Sequence, residues 1–238
     1  MDLEKGERLE DLGCKNLKII QNKNLYTFTS DSVILANFLK IKSKESAVEI
    51  GGGSGVISIL ATAKNKVKKI KIFEIQENLQ KLCEKNIKIN NLNDVLELIS
   101  DDVRNFKKYV EVGSQDVVFS NPPYFLVDKT ENSVRKFARQ EVFLNLKDLI
   151  KISSQMLKYG GRLYLIYPAS RLCELIYECE KNDIKIKKLF FTENKNKVVN
   201  LVVIEGRKNG SDGVQFLPTI EVWKVIMNGK GNKLLFWI

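Results

Sequence analysis

The chain has 238 residues, 44% hydrophobic and 29% charged, enough to bury a sizeable core in a globular protein. It has no histidine and only four scattered cysteines (Cys14, Cys83, Cys173, Cys179). That sets aside zinc sites, histidine triads and histidine acid–base chemistry, and leaves the cysteines as free thiols in a reducing compartment. The formal net charge of +10 suits a polyanionic partner, although a lysine- and asparagine-rich codon bias would produce the same excess.

No apolar run approaches the roughly 18 residues of a membrane span. Met1 to Lys5 has no apolar signal region. A cytoplasmic protein is therefore expected.

In chain order, two apolar-rich runs, Leu17–Gln21 and Leu25–Phe28, flank the polar Asn22-Lys23-Asn24 and predict a hairpin. Thr29-Ser30-Asp31 reads as the cap of a helix carrying Val33, Ile34, Leu35 and Phe38. Ser46–Ile50 is a short buried strand, and Gly51-Gly52-Gly53-Ser54-Gly55 follows it directly. A helix over about 56–63 completes a strand, glycine loop and helix, the arrangement that lets backbone approach a nucleotide cofactor.

The spacing narrows the ligand. A dinucleotide fingerprint needs glycine at 56, where Val56 stands, and no Gly-Lys-Ser/Thr phosphate loop is present. What remains is Glu49-x-Gly51-x-Gly53-x-Gly55 with no basic residue just after it, which favours a cofactor lacking a phosphate chain.

Strand Lys69–Phe73 ends at Glu74, placed about 20 residues past the loop to take a ribose. An amphipathic helix over 76–89 and a strand over 95–99 lead to Ser100-Asp101-Asp102. Acids at successive ends of parallel strands line one crevice. Taken singly, Glu74 is also a plausible helix-start carboxylate and the aspartates a plausible turn.

Strand Gln115–Phe119 runs into Ser120-Asn121-Pro122-Pro123-Tyr124-Phe125. Two prolines cannot continue a sheet, so the chain leaves it at Asn121, which Pro122 holds extended. A carboxamide, a backbone carbonyl and an aromatic face are thus gathered at a strand's carboxyl end, a setting for a planar group bearing NH2.

Residues 126–140 read as a long polar loop beyond this site, with Lys129, Arg135, Lys136 and Arg139. A helix over 144–158 ends in Tyr159-Gly160-Gly161, read as a glycine C-cap. A strand over 162–167, a helix over 168–181 and a closing antiparallel pair over 184–191 and 198–205 follow. The alternation over 46–205 predicts an α/β fold: a mostly parallel sheet, its last strand reversed, with helices on both faces. One domain over 1–238 is expected, comprising an N-terminal hairpin and helix (1–40), a core (41–208) and a C-terminal extension (209–238).

The glycine motif, the acids after the second and third strands, and Asn121-Pro122-Pro123-Tyr124 together resemble the class I S-adenosylmethionine-dependent methyltransferases. The Asn-Pro-Pro-Tyr stretch is similar to that of the amino-methylating group. Phe28-Thr29-Ser30-Asp31-Ser32-Val33-Ile34-Leu35-Ala36, Ala138-Arg139-Gln140-Glu141 and Leu217-Pro218 further resemble the bacterial tRNA1(Val) adenine-N6 methyltransferase family. That family modifies the adenine at tRNA position 37. Glu49 stands where Asp is more usual, and Gln140 where close relatives carry histidine.

The resemblance implies a Rossmann-like seven-stranded sheet and S-adenosyl-L-methionine as co-substrate, with no metal. It implies a tRNA anticodon loop as partner, with no membrane and no obligate protein partner. It assigns co-substrate contacts to Ser30, Asp31, Glu49, Gly51, Gly53, Gly55, Glu74, Asp101, Asp102 and Asn121. Asn121 and the Pro122 carbonyl would accept the two amine hydrogens while Tyr124 stacks the base. Pro123, Phe125, Arg135, Lys136 and Arg139 would contact the RNA. Alternatives of the same geometry are methylation of guanine N2 in rRNA or of a protein glutamine amide, and a non-catalytic RNA-binding relative.

Overall fold

A computed structural model describes residues 3–25, 28–123 and 144–221. The elements are, in order, β1 (Glu7–Asp11), β2 (Lys18–Asn22), α1 (Ser30–Phe38), β3 (Ser46–Ile50), α2 (Val56–Lys64), β4 (Lys69–Phe73), α3 (Glu77–Ile89) and β5 (Leu96–Ile99). A 3-10 turn (Val103–Lys108) precedes β6 (Gln115–Ser120), α4 (Leu146–Met156), β7 (Leu157–Pro168), a 3-10 turn (Ala169–Arg171) and α5 (Leu172–Lys181). β8 (Ile184–Glu193), β9 (Val199–Lys208), β10 (Gln215–Phe216) and β11 (Ile220–Glu221) finish the described chain.

Seven strands form the body of the sheet in the order β5-β4-β3-β6-β7-β9-β8, and β10 and β11 add to the outer edge of β8. Every pairing in that body is parallel except those of β9, which runs antiparallel to both β7 and β8. The expected mostly parallel α/β sheet with a reversed last strand is what the chain adopts. α1, α2 and α3 cover one face, where Val33, Leu35, Ile59, Leu60 and Ile87 pack on Ala47, Ile70, Phe119 and Tyr164. The 3-10 turn at 103–108, α4 and α5 cover the other through Phe106, Leu149, Ile150 and Leu175.

Strand order reverses between β3 and β6, because β3 is flanked by β4 on one side and β6 on the other. In an open α/β sheet that switch opens a crevice beyond the strands' carboxyl ends.

Two local expectations are corrected. The N-terminal hairpin pairs β2 with Glu7–Asp11, and Leu25 and Phe28 of the expected second run lie outside any strand. β1 is nearly all charged and gives no apolar signal; it is recruited through the backbone ladder to β2, whose Ile19 and Ile20 are buried. Phe28 packs on the core, while Tyr26 and Thr27 lie outside the described residues. Tyr159-Gly160-Gly161 is not a helix cap. α4 stops at Met156, and Leu157 is already extended. The three residues lie in β7, inside a register shift where Leu157 opposes Gln115 and Arg162 opposes Val117. Gly160 has φ +73°, and a Cβ on Gly161 would come within 2.9 Å of the Lys158 carbonyl oxygen, so the bulge requires both glycines.

Candidate active site

The parallel register aligns the predicted residues along one edge. Ile50 pairs with Phe73 and with Ser120, and Phe73 pairs with Ile99. Gly51, Glu74, Ser100 and Asn121 therefore leave four neighbouring strands side by side. Ser120 fastens the β3–β6 junction, its hydroxyl donating to the Ile50 carbonyl at 2.7 Å.

Gly51, Gly53 and Gly55 all take left-handed backbone, with φ of +72°, +57° and +80°. At Gly51 and Gly53 a Cβ would meet nothing within 4 Å, so the loop presents bare backbone to open space. Gly55 differs: its Cβ would lie 2.8 Å from Cys83 Sγ, and it is needed for packing on α3. The amides of Gly51 and Gly52 both donate to the Phe73 carbonyl, at 2.9 and 3.0 Å.

Glu74 braces the loop as well as facing the crevice. One carboxylate oxygen accepts the Gly53 amide at 2.8 Å and the other the Gln76 amide at 2.9 Å. Burial raises its pKa, and these backbone donors oppose the rise. Glu49 lies beneath the loop. It is fully buried, with one oxygen accepting from the Ser58 hydroxyl and Oε1 left without a partner. Burial pushes its pKa up to about 8, and the hydrogen bonds from Ser58 only partly offset this.

The two aspartates after β5 are both occupied locally. Asp102 caps the 3-10 turn by accepting the Arg104 amide at 2.9 Å and pairs with the Arg104 guanidinium. Asp101 accepts from Asn105 Nδ2 and the Tyr109 hydroxyl, both at 2.8 Å. Those bonds hold its carboxyl down at about 2. Asp101 is a preformed, ionised acceptor at the rim, and Tyr109 stacks edge-on against Phe73 beside it.

Asn121 is half-buried, Pro122 buried and Pro123 exposed. Asn121 Nδ2 donates to Ser32 Oγ at 3.1 Å, and Ser32 is only 3% exposed. With the amide nitrogen engaged by Ser32, Oδ1 remains as the acceptor of the carboxamide. Sequence reasoning missed Ser32; its place one residue after Ser30-Asp31 in the first turn of α1 was the available signal. Ser30 and Asp31 sit in the same turn, with the Ser30 hydroxyl 3.3 Å from Asp31 Oδ1 and no side chain capping the helix. Tyr124, Phe125, Arg135, Lys136, Arg139 and the loop at 126–140 lie outside the described residues.

Room above bare glycine backbone, an orphaned carboxylate oxygen under it and ionised or buried acids around it suit a phosphate-free adenosyl ligand with a cationic end. Among the described residues no cluster of His, Cys, Asp or Glu could hold a metal ion, and no helix is long and apolar enough to cross a membrane.

The profile of the methyltransferase small domain family matches residues 25–185. Two curated relatives, from a Flavobacteriaceae bacterium and from Shewanella woodyi, are each named tRNA1(Val) (adenine(37)-N6)-methyltransferase. The first is 24% identical with 71% of each chain covered, the second 26% identical with 68% of each covered. Among solved structures, a predicted O-methyltransferase from Agrobacterium tumefaciens superposes with a TM-score of 0.63 at 15% identity, covering 86% of this chain and 91% of its own. TYW2 of M. jannaschii, solved with AdoMet, gives 0.60 at 16% identity, covering 87% and 88%.

Proposed function

The chain belongs to the methyltransferase small domain family, and we propose that it methylates the exocyclic N6 of an adenine in tRNA, at position 37 beside the anticodon, using S-adenosyl-L-methionine. The observation that carries this reading is the Ser32-anchored carboxamide of Asn121 beside the open glycine backbone at the β3–β6 switch. The names of the curated relatives supply the nucleotide and the RNA.

S-Adenosylmethionine bound over the glycine loop supplies an electrophilic methyl group on a sulfonium. Gly51 and Gly53 would admit it by having no side chain, Glu74 would accept from its ribose hydroxyls, and Asp101 would take its adenine amine at the rim. Ser30 and Asp31 close the end near α1. Asn121 Oδ1 and the Pro122 carbonyl each accept one hydrogen of the target N6 amine. That localises the nitrogen lone pair and directs it to the methyl carbon. With the cofactor bound, methyl transfer would form the N–C bond at the expense of the C–S bond, and the surplus amine proton would leave to solvent. Tyr124 and Phe125 stack the base, and Pro123 borders it. Rate comes from positioning and from dipoles aimed at developing charge, with no strong base required of a chain that lacks histidine. An unpaired loop base reaches such a pocket more cheaply than one in a duplex.

The test is to incubate the protein with methyl-labelled S-adenosylmethionine and total tRNA, then digest to nucleosides. Labelled N6-methyladenosine in a valine tRNA is the expected result. Label in protein or rRNA would overturn the substrate, and failure to bind S-adenosylmethionine would overturn the reaction class.

A further inference from the structure

Two short rows of lysine lie abreast at the opposite end of the sheet from the active site. Lys40, Lys42 and Lys44 follow α1, and Lys64, Lys66 and Lys68 end and follow α2; all six are exposed. Between them Ile41 is buried and Val67 packs on the core, while Ser43 is exposed. The Ile41 amide donates to Asn65 Oδ1 at 3.1 Å, Lys64 Nζ donates to the Asn37 carbonyl, and Ser46 pairs with Lys69. These contacts fix the rows as one surface.

Three acids near the rows are already paired. Glu45 pairs with Arg162, Glu97 with Lys69 and Asp116 with Lys158. Among the described residues none of the six lysines has a carboxylate partner. Burial, and then the charge of Lys40, push the Lys64 ammonium below its ordinary value. Complementing a helix dipole accounts for Lys64, in the last turn of α2, but not for the five beyond the helices. Like charges gathered without counter-charge are a cost that an anionic partner relieves.

Both helices run from the active site to these rows. α1 carries Ser32 in its first turn and α2 begins at the glycine loop. Nine helical residues span about 13 Å, on the order of four to five base pairs along an A-form RNA stem. We propose that the two lysine rows grip the phosphate backbone of an RNA stem some four to five base pairs from the base held at Asn121. This rests on the tRNA methyltransferase reading and adds a docking surface to it.

The test is the variant K40E/K42E/K66E/K68E, assayed as the full chain with total tRNA and with a target stem-loop across a salt series. The control K147E/K151E reverses charge on α4, on the opposite face. For the lysine-row variant KM for RNA should rise at least about tenfold, with kcat at saturating RNA within about twofold. The slope of log affinity against log salt should flatten by roughly 0.9 per lost contact. Trimming the stem to two base pairs should erase the difference from the parent protein. An unchanged KM and salt slope, or a loss equal to the control's, would overturn the assignment. If the parent transfers no methyl group to RNA, the enzymatic reading fails, and tRNA binding measured on filters still decides the lysine surface.

Discussion

Asn121 concentrates the chemistry in one amide group whose two ends have different jobs. Its nitrogen is held by Ser32 at 3.1 Å, so its oxygen is presented rather than left to rotate. Asn121→Ala should lower kcat by far more than tenfold, about 1.4 kcal/mol, while S-adenosylmethionine still binds. Ser32→Ala should lower kcat about three- to tenfold with KM for RNA unchanged, and Ser32→Thr should restore most of it. A drop in KM and kcat together, or no rescue by Thr, would mean that Ser32 only packs.

Glu49 makes a different prediction. Its pKa rises from 4.5 unfolded to about 8 folded, so the folded chain holds the extra proton between those values. Its contribution is most favourable below about pH 4.5 and is lost as pH climbs toward 8. Glu49→Gln should raise the unfolding free energy from urea titration by about 1–3 kcal/mol at pH 8 and leave it nearly unchanged at pH 4. The same gain at both pH values would show that Glu49 does not titrate in that window.

Among the elements, α3 ties the N-terminal hairpin to the glycine loop. Asn86, fully buried, accepts the Ile20 amide at 2.6 Å and donates to the Ile20 and Ser54 carbonyls at 3.1 and 3.0 Å. One turn later Asn90 repeats the pattern on Lys18, accepting its amide at 2.8 Å and donating to its carbonyl at 2.7 Å. The two asparagines stand in for a neighbouring strand along the free edge of β2. Asn86→Ala would strand three buried backbone groups, at a cost of about 2–4 kcal/mol. A thermal midpoint lower by roughly 5–10 °C is expected, with weaker S-adenosylmethionine binding because Ser54 belongs to the loop. Full retention of both would contradict this coupling. Nothing local in the sequence named the partners of Asn86, which lie 66 and 32 residues away.

For the whole molecule, the net charge of +10 separates the two ligands. RNA affinity should fall by tenfold or more between 50 and 200 mM salt if several phosphates are neutralised, whereas affinity for phosphate-free S-adenosylmethionine should change little. Parallel titrations of both ligands test this, and equal salt dependence would refute it. The sequence by itself determined the alternation of strands and helices, the turns at Gly51, Gly53 and Gly55, and the break at Asn121. Each of these is enforced locally, by side-chain period, by φ preference or by proline's missing N–H. Only the tertiary structure decided that β1 pairs with β2, that Tyr159-Gly160-Gly161 is a strand bulge, that Asp102 serves as a cap and that Ser32 faces Asn121 across 89 residues. Those outcomes depend on which groups meet when distant segments pack, and no pattern within a single segment encodes them.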